Sequence, residues 1–199
     1  MKEGDLSFNR TERRDAAENR QRILDAASKL FEAVGVEQVS MNQIAIEAKI
    51  GSGTLYRRYR NKGELCLDLI KDNVVLCFEA IDAYLEDNRT APPNQRLRGI
   101  LSLFIGFRES KAQLLKGVEE FESTNRPNSS TQGPLYNELH HHLVQLFDEM
   151  ATTEKLNSVF RADILLAALR SEAYLFQRQV RGYSPEEILE QLWETFIGH

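Results

Sequence analysis

Several features that would assign this chain to a membrane, secreted or disulfide-stapled class are scarce or missing. Its 199 residues include only two cysteines and five prolines, and no apolar run approaches the ~20 residues that a membrane-spanning helix needs. The polar and acidic residues 1–5 have no apolar stretch behind them, so the sequence predicts no signal peptide and no membrane partner. We therefore expect a globular, cytoplasmic protein.

The motifs of common catalytic sites are also missing. The sequence has no Gly-rich phosphate loop, no Cys-x-x-Cys pair, no His-Glu-x-x-His and no Gly-x-Ser-x-Gly. Three histidines occupy residues 140–142, but consecutive helical residues point about 100° apart, so these cannot chelate one ion from a regular helix. The sequence predicts neither an enzyme nor a metal site, and we expect no cofactor.

The two cysteines, Cys66 and Cys77, are eleven residues apart on one predicted helix. Along a helix this spacing separates them by roughly 16 Å, which is too far for a disulfide. Our interpretation is that both are small core residues, and a redox sensor is the alternative.

Apolar residues recur at helical spacing along the chain, and Val, Ile and Thr never form alternating runs. This pattern predicts an all-α fold. The first helix should begin between Thr11 and Asn19 and end at Gly35, with an apolar stripe of Ile23, Ala27, Leu30, Phe31 and Val34. Later helices are predicted over about 63–86, 94–108, 111–123, 134–151 and 161–181, with a last one after the start signal Ser184-Pro185-Glu186-Glu187.

Residues 40–62 predict two short helices joined by a tight turn. Ser40 is a suitable N-cap, and the first helix has an apolar stripe of Met41, Ile44, Ala45 and Ala48. Ile50 anchors the turn, and Gly51 relaxes its backbone. The second helix opens at Ser52 or Gly53, with Leu55 and Tyr59 facing inward. Hydroxyl, aromatic and basic groups remain for its outer face: Ser52, Gly53, Thr54, Tyr56, Arg57 and Arg58.

A helix pair of this kind can place its second helix in the major groove of DNA. Hydroxyl and guanidinium groups suit phosphates and base edges, and a tyrosine ring can meet a thymine methyl. An ordinary helical hairpin is the alternative, but it does not require aromatic and basic residues after the turn. Residues 1–62 hold 12 Lys/Arg and 9 Asp/Glu, a charge of +3, and the remainder holds 13 and 21, a charge of −8. The positive excess therefore accompanies the helix pair.

A series of short motifs lies within roughly residues 19–66, and the motifs are specific when they occur in this combination. They are Ile23-Leu24-Asp25-Ala26-Ala27, Leu30-Phe31, Gly35, Ile44-Ala45, Ala48, Gly53-Thr54-Leu55-Tyr56, Tyr59, Asn61-Lys62 and Glu64-Leu65. Together they resemble the N-terminal domain of the tetracycline-repressor (TetR) family of transcriptional regulators. The chain departs from that family at Lys49, where glycine is usual, and at Gly51, where a capping serine is usual. The lysine predicts a slightly altered turn, in which Ser52 can act as the cap.

The resemblance implies a three-helix helix-turn-helix domain over residues 1–62 and a helical ligand-binding and dimerisation domain of about six helices over 63–199. It also implies a homodimeric repressor that a small-molecule effector releases from a palindromic double-stranded DNA operator. An effector-independent regulator and a helical protein-interaction module are the alternatives. The DNA contacts carried over from the family are Ser40, Met41, Thr54, Arg58 and Lys62 for phosphates, and Asn42, Ser52, Gly53 and Tyr56 for bases, with Arg57 included without a fixed role.

Two further sets of candidate residues belong to the helical domain. An apolar effector pocket could be lined by Phe78, Phe104, Phe107, Phe121, His142 and Phe147, with plain core packing as the alternative. The last two helices carry more apolar surface than one monomer face needs, which suits half of a four-helix dimer interface. Its candidates are Ile164, Leu165, Ala168, Leu169, Leu175, Phe176, Leu189, Leu192, Trp193 and Phe196.

Overall fold

The computed structural model is helical, and it contains no strand in the parts of the chain that it describes. Those parts are residues 4–125, 134–151 and 157–197, with the side chains of 15–119, 136–151 and 157–197. The predicted pocket residue Phe121 lies outside the described side chains. The all-α prediction is confirmed, and the chain divides into two compact units, Met1–Leu69 and Ile70–His199.

The first unit is built from three helices and the start of a fourth. These are α1 (Gly4–Val34), α2 (Met41–Glu47), α3 (Ser52–Arg58) and α4 (Lys62–Asp87), whose later turns belong to the second unit. Helix α1 begins earlier than predicted, and Gly35 ends it with a φ of 85°. The predicted stripe of α1 is shorter than expected, because Val34 is exposed while Ile23, Ala27 and Phe31 are buried.

The connection between α2 and α3 differs from the predicted turn. Helix α2 begins with a capping box between Ser40 and Gln43, as the N-cap prediction requires. The left-handed residue of the turn is Lys49, with a φ of 54°, whereas Gly51 has an ordinary φ of −68° and is itself the N-cap of α3. The expectations that Gly51 relaxes the turn and that Ser52 caps α3 are therefore wrong.

Arg22 supports this strained turn from α1. Its Nη2 donates to the carbonyl oxygens of Ala48, at 2.6 Å, and Lys49, at 2.8 Å. Carbonyl groups at the end of a helix have no hydrogen-bond donor within that helix. The Arg22 guanidinium supplies a donor to the two carbonyls that follow α2. The arginine thus offsets part of the cost of a non-glycine residue with positive φ.

The second unit contains the rest of α4 and five further helices. They are α5 (Pro93–Asn125), α6 (Pro134–Met150), α7 (Ser158–Ala168), α8 (Ser171–Leu175) and α9 (Pro185–Phe196), with a π-helical segment, Phe176–Val180, between α8 and α9. Helix α5 has a break at Lys111, whose φ is −129°, which confirms the predicted change of helix after residue 108. The capping box of Ser184 and Glu187 at the start of α9 is also confirmed. None of the described helices is long and apolar enough to cross a bilayer.

The predicted single helix over 161–181 is wrong. The chain leaves the helix at Leu169 and Arg170, resumes as α8 at Ser171, and then widens into the π-helical segment. The apolar spacing continues through this region, so the sequence pattern contains no sign of the break. Its cause is a buried polar cluster that is described below.

The core of the second unit is formed by apolar side chains from α4 to α9, among them Ile81, Phe104, Phe147, Leu165 and Ile188. Cys77 belongs to this core, while Cys66 is buried in the first unit. Burial raises the pKa of the Cys77 thiol to about 11, so this thiol stays protonated and unreactive at neutral pH. The interpretation of both cysteines as core residues is confirmed.

A glycine on α5 marks a close approach to α4, and its replacement should destabilise the second unit. A Cβ atom at Gly99 would overlap the ring of Tyr84. We expect Gly99→Ala to lower the free energy of unfolding by about 0.5–1.5 kcal/mol, because the Tyr84 ring must leave its rotamer to make room, measured by urea denaturation with Trp193 fluorescence. Gly106→Ala on the same helix is the matched control, because a Cβ there meets nothing within 4 Å. Equal stabilities of the two variants would contradict the close approach.

Candidate nucleic-acid interface

Helix α3 presents a polar face to solvent, as its sequence predicts. Leu55 and Tyr59 are buried, which confirms their inward placement. The outward residues Ser52, Gly53, Arg57 and Arg58 are exposed, Thr54 is half-buried, and Tyr56 has 46% of its surface exposed. The exposed face therefore combines hydroxyl, guanidinium and phenol groups that can contact phosphates and base edges.

A carboxylate on α4 fixes the inner side of α3. Asp68 accepts two hydrogen bonds from Arg20, from Nε at 2.8 Å and from Nη2 at 2.7 Å, and a third from the Tyr59 hydroxyl at 2.5 Å. The bond to Asp68 raises the pKa of Arg20, and burial, together with that carboxylate, raises the pKa of Tyr59. Both donors therefore stay protonated, and Asp68 ties α1, α3 and α4 together within the first unit.

Neither Arg20 nor Asp68 was predicted from the sequence. The two residues are 48 positions apart, and neither interrupts an apolar stripe, so no local pattern indicates that they pair. Their partner Tyr59 was expected to face inward, but the aromatic ring alone does not reveal which acceptor its hydroxyl meets.

The start of α2 offers a smaller contact surface than predicted. The Ser40 hydroxyl accepts from the Gln43 amide at 3.3 Å, and the Ser40 amide donates back to the Gln43 side chain at 2.7 Å. Asn42 is exposed, whereas the Met41 side chain is buried. Only the backbone amide of Met41 remains for a phosphate contact, and Asn42 is the side chain of this segment that is free to reach a base.

The basic residues of α3 make long, exposed hydrogen bonds within the first unit. Arg57 donates from Nη2 to the Thr54 hydroxyl at 3.3 Å, and Arg58 donates from Nη1 to the carbonyl oxygen of Ala16 at 3.4 Å. Both contacts are long and exposed, so a phosphate can displace them at little cost. The two guanidinium groups remain candidate DNA contacts.

Lys62 has a different role from the predicted phosphate contact. Its Nζ donates to the carbonyl oxygens of Val36 at 2.5 Å, Glu37 at 3.2 Å and Val39 at 3.0 Å. An ammonium group has three donors, and all three are used. Lys62 therefore holds the loop between α1 and α2, and we withdraw it from the set of phosphate contacts.

The two roles of Lys62 predict different results for Lys62→Met. If the loop contacts are its function, the first unit should lose about 1–3 kcal/mol of stability, because three carbonyls lose a charged donor. Amide hydrogen exchange over residues 36–39 measures this loss. The slope of operator affinity against salt should stay at the wild-type value, whereas Arg58→Met should reduce it by about one unit. A reduced slope for Lys62→Met would return this residue to the phosphate set.

The predicted pocket residues lie in the packed core of the second unit. Phe78, Phe104, Phe107 and Phe147 are buried, and the ring centroids of Phe104 and Phe107 are 6.2 Å apart. His142 is half-buried, with Nε2 at 3.3 Å from Oδ1 of Asp82. The structure shows these phenylalanines packed in the core, which was the alternative to a pocket. A ligand site among them stays a prediction. The described residues contain no group of three or more His, Cys, Asp or Glu that could hold a metal ion.

The predicted dimer residues separate into two groups. Leu165 and Leu169 are fully buried in the core of their own chain, so their assignment to an interface is wrong. Leu189, Leu192 and Phe196 are half-buried against that core, and Ala168, Leu175 and Trp193 are also half-buried. Ile164 and Phe176 are exposed, together with three apolar residues that the sequence analysis did not select: Val159, Phe160 and Val180.

A buried polar cluster in the second unit was also missed. It consists of Arg108 (1% exposed), Glu119 (6%), Tyr136 and Ser171, hereafter the Arg108 cluster. Arg108 donates from Nη1 to the Tyr136 hydroxyl at 2.5 Å and to Glu119 at 3.2 Å, and from Nη2 to the Ser171 hydroxyl at 2.8 Å. Burial raises the pKa of Tyr136, so its hydroxyl remains a donor to Glu119, at 2.5 Å.

The Arg108 cluster explains the break before α8. The Ser171 amide donates to Oε2 of Glu119 at 2.8 Å, and not to a carbonyl of the preceding turn as in a continuous helix. The Ser171 hydroxyl donates to Oε1 of the same carboxylate at 3.1 Å. Glu119 thus satisfies the first amide of α8 from a different helix. Isolated Arg, Glu, Tyr and Ser residues in a sequence give no signal of such a cluster.

Comparison with known proteins identifies the family of the chain. The family model for bacterial regulatory proteins of the tetR family matches residues 23–69. An HTH-type transcriptional regulator of Staphylococcus aureus strain MRSA252 is 32% identical over 186 residues, which cover 93% of this chain and 96% of that protein.

Two solved structures share the fold over most of their length. One is FadR of Thermus thermophilus, a TetR-family transcriptional repressor in complex with lauroyl-CoA, with a TM-score of 0.67, 20% identity, and coverage of 89% of this chain and 93% of that one. The other is AibR in complex with isovaleryl coenzyme A and operator DNA, with a TM-score of 0.57, 18% identity, and coverage of 89% and 97%. The chain belongs to the TetR family of bacterial regulatory proteins and is a DNA-binding transcriptional regulator with a helix-turn-helix motif.

Proposed function

We propose that the chain is a homodimeric repressor that a small-molecule effector releases from a palindromic operator. The observation that carries the DNA-reading part is the exposed polar face of α3, whose inner side is fixed by Asp68. A rigidly held helix can present side chains to base edges with a defined geometry. Release by an effector is supported by the two structural neighbours, one a repressor bound to lauroyl-CoA and the other bound to isovaleryl coenzyme A and operator DNA.

The proposed contacts follow from the exposed groups. Base edges or thymine methyls meet Asn42, Ser52, Gly53 and Tyr56. Phosphates meet the Met41 amide, Thr54, Arg57 and Arg58. The Ser40 hydroxyl joins them only by giving up its hydrogen bond to Oε1 of Gln43, at 2.8 Å. Gly53 has open space where a Cβ would be, which allows the backbone of α3 to approach DNA closely.

The proposed dimer uses the exposed apolar residues of α7 and the π-helical segment. Phe160 and Ile164 are four residues apart on α7 and share one face, with 63% of Phe160 exposed. Phe176 and Val180 add exposed apolar surface on the π-helical segment. A two-fold axis through this surface would give two copies of α3, as a palindromic operator requires.

The dimer surface is tested by Phe160→Glu. We expect a monomer in sedimentation velocity, because the substitution places a charge in the apolar surface of the proposed interface. Val75→Glu is the matched control, since Val75 is an exposed apolar residue of α4 outside the surface. A Phe160→Glu dimer as tight as the control would contradict the proposed interface.

Selection from random DNA by the purified full chain tests operator reading. We expect an enriched inverted repeat and an affinity that falls linearly on a log–log plot against salt. A pool without enrichment at low salt would contradict the proposal and favour the protein-interaction module. Repression of a reporter that no compound in a metabolite library relieves would favour the effector-independent regulator.

A further inference from the structure

The turn before α3 keeps a lysine in a conformation that favours glycine. Lys49 is the one residue other than glycine that has a positive φ, 54°, in the described part of the chain. A left-handed conformation is costly for a residue with a Cβ atom, whereas glycine, which is usual here in the TetR family, adopts it freely. Backbone strain of this kind occurs often at functional sites, so the lysine side chain needs an explanation.

The turn itself does not need this side chain. The amide of Lys49 donates to the carbonyl oxygen of Ile46 at 3.0 Å, and its carbonyl oxygen accepts from Nη2 of Arg22 at 2.8 Å. Both backbone groups are thus satisfied, and a glycine would offer the same two groups. The side chain is exposed, and its ammonium group forms no hydrogen bond or ion pair with the residues that the structure describes.

The acidic residue of α2 has another partner. Glu47 is two residues before Lys49, but its carboxylate is paired with Nζ of Lys29 at 2.5 Å. Lys29 lowers the pKa of Glu47 through this hydrogen bond and through its charge, and the charge of Lys49 adds a smaller effect in the same direction. Glu47 is therefore ionised with Lys29 as its partner, and the ammonium group of Lys49 is left for an anion from outside the chain.

The position of Lys49 in the chain points to a phosphate of the DNA backbone as this anion. The N-terminal residues of a recognition helix contact base edges inside the major groove, and in this chain they are Ser52 and Gly53. Lys49 is three residues before Ser52, so the Cα atoms of the two residues lie at most about 10 Å apart. The groove is about 12 Å wide, so the chain passes the phosphates at its edge within this distance. The flexible four-carbon stem of the lysine extends the reach of its charge.

We propose that Lys49 is an additional phosphate contact, which binds the DNA backbone at the edge of the groove that α3 enters. The proposal rests on the DNA-reading part of the proposed function. A phosphate contact adds affinity for every sequence and fixes the position of the protein without reading a base. Arg22 is then a positioning residue, because it holds the left-handed turn from which the lysine extends. The strained turn thus gives the chain one more cation beside α3.

Three substitutions at position 49 separate the charge from the conformation of the turn. Lys49→Met keeps a long side chain and the strain but removes the charge, Lys49→Gly removes both the charge and the strain, and Lys49→Arg keeps the charge. Binding of the full chain to duplex DNA of random sequence is measured by fluorescence anisotropy over a series of KCl concentrations. The methionine and glycine variants should reduce the slope of log affinity against log salt by about one unit for each bound recognition helix. Lys49→Arg should bind as the wild type does.

Stability and DNA affinity should change in opposite directions in Lys49→Gly. Because glycine relieves the strain, amide hydrogen exchange over residues 44–55 should be slower in Lys49→Gly than in Lys49→Met. Both variants should nevertheless bind DNA roughly tenfold more weakly than the wild type at low salt, since each lacks the charged donor. A protein with a more stable turn and a weaker affinity has not lost binding through damage to its fold. Arg89→Met removes an exposed cation of the second unit, and as the matched control it should keep the wild-type slope.

Wild-type slopes for both Lys49→Met and Lys49→Gly would overturn the proposal, since the turn would then tolerate a lysine that does not touch DNA. An equal loss for Lys49→Arg would also contradict it, because the charge would not be the group that binds. So would a loss confined to one sequence among several duplexes, which indicates a base contact. A wild type that binds no duplex even at low salt would refute the DNA-reading part of the proposed function and this proposal with it. Wild-type binding with unchanged slopes in the variants would refute this proposal alone.

Discussion

Replacing Arg108 with methionine is expected to lower the free energy of unfolding by about 3–5 kcal/mol. The substitution removes one partner of a buried ion pair and leaves Glu119 without its principal counter-charge, which is the costly way to break such a pair. The Tyr136 and Ser171 hydroxyls also lose a charged partner. Urea denaturation followed by the fluorescence of Trp193, the one tryptophan of the chain and a residue of the second unit, measures the change.

A double variant separates the ion pair from simple loss of packing. In Arg108→Met/Glu119→Leu both charges are gone, and part of the lost stability should return, because no uncompensated charge is left buried. The rest should stay lost, since the Ser171 amide and the Tyr136 hydroxyl no longer have Glu119 as their acceptor. If the double variant loses as much stability as the two single variants together, Glu119 is not an uncompensated charge in Arg108→Met. Arg89→Met, whose pair with Glu86 is exposed, should change stability by less than about 1 kcal/mol.

Tyr56→Ala is expected to weaken operator binding by about 1–3 kcal/mol for each half-site, with relaxed preference at the base that the ring meets. Tyr56 is exposed and forms no part of the core, so the variant should remain folded and dimeric. Fluorescence anisotropy with the selected operator and with single-base variants of it measures both effects.

Tyr56→Phe identifies which part of the side chain acts. If the ring meets a thymine methyl, the phenylalanine variant should bind as the wild type does. If the hydroxyl donates to a phosphate or base edge, the two variants should lose similar affinity. Wild-type affinity for Tyr56→Ala would remove Tyr56 from the interface.

The sequence predicted the starts of helices well where a capping box lies within a few residues. Ser40 and Ser184 each begin a helix with a capping box, because the two partners of a box are only three residues apart and can be read from the sequence. The break near Lys111 was also predicted, as a change of helix between residues 108 and 111. The family resemblance added the function of α3, which the spacing alone left open between a DNA reader and an ordinary hairpin.

The errors concern interactions between distant residues. The break before α8 depends on Glu119, which is 52 positions from Ser171. Lys62 was expected at phosphate because it is basic and follows α3, but its ammonium meets three carbonyls that precede α2. Leu165 and Leu169 were assigned to an interface because an apolar residue on a helix can face either the core of its own chain or a second copy. The sequence does not distinguish these two positions. Each error arose where tertiary contacts decide between roles that the local sequence allows equally.

The three-way contact of Asp68 with Arg20 and Tyr59 has an evolutionary consequence. Two donors share one acceptor, so the effects of losing them are not independent: once Asp68 has gone, a change at Arg20 or Tyr59 removes little more. Losing either charge of the Arg20–Asp68 pair first leaves the other without its counter-charge. Positions 20, 59 and 68 should therefore vary together among relatives although they lie far apart in the chain.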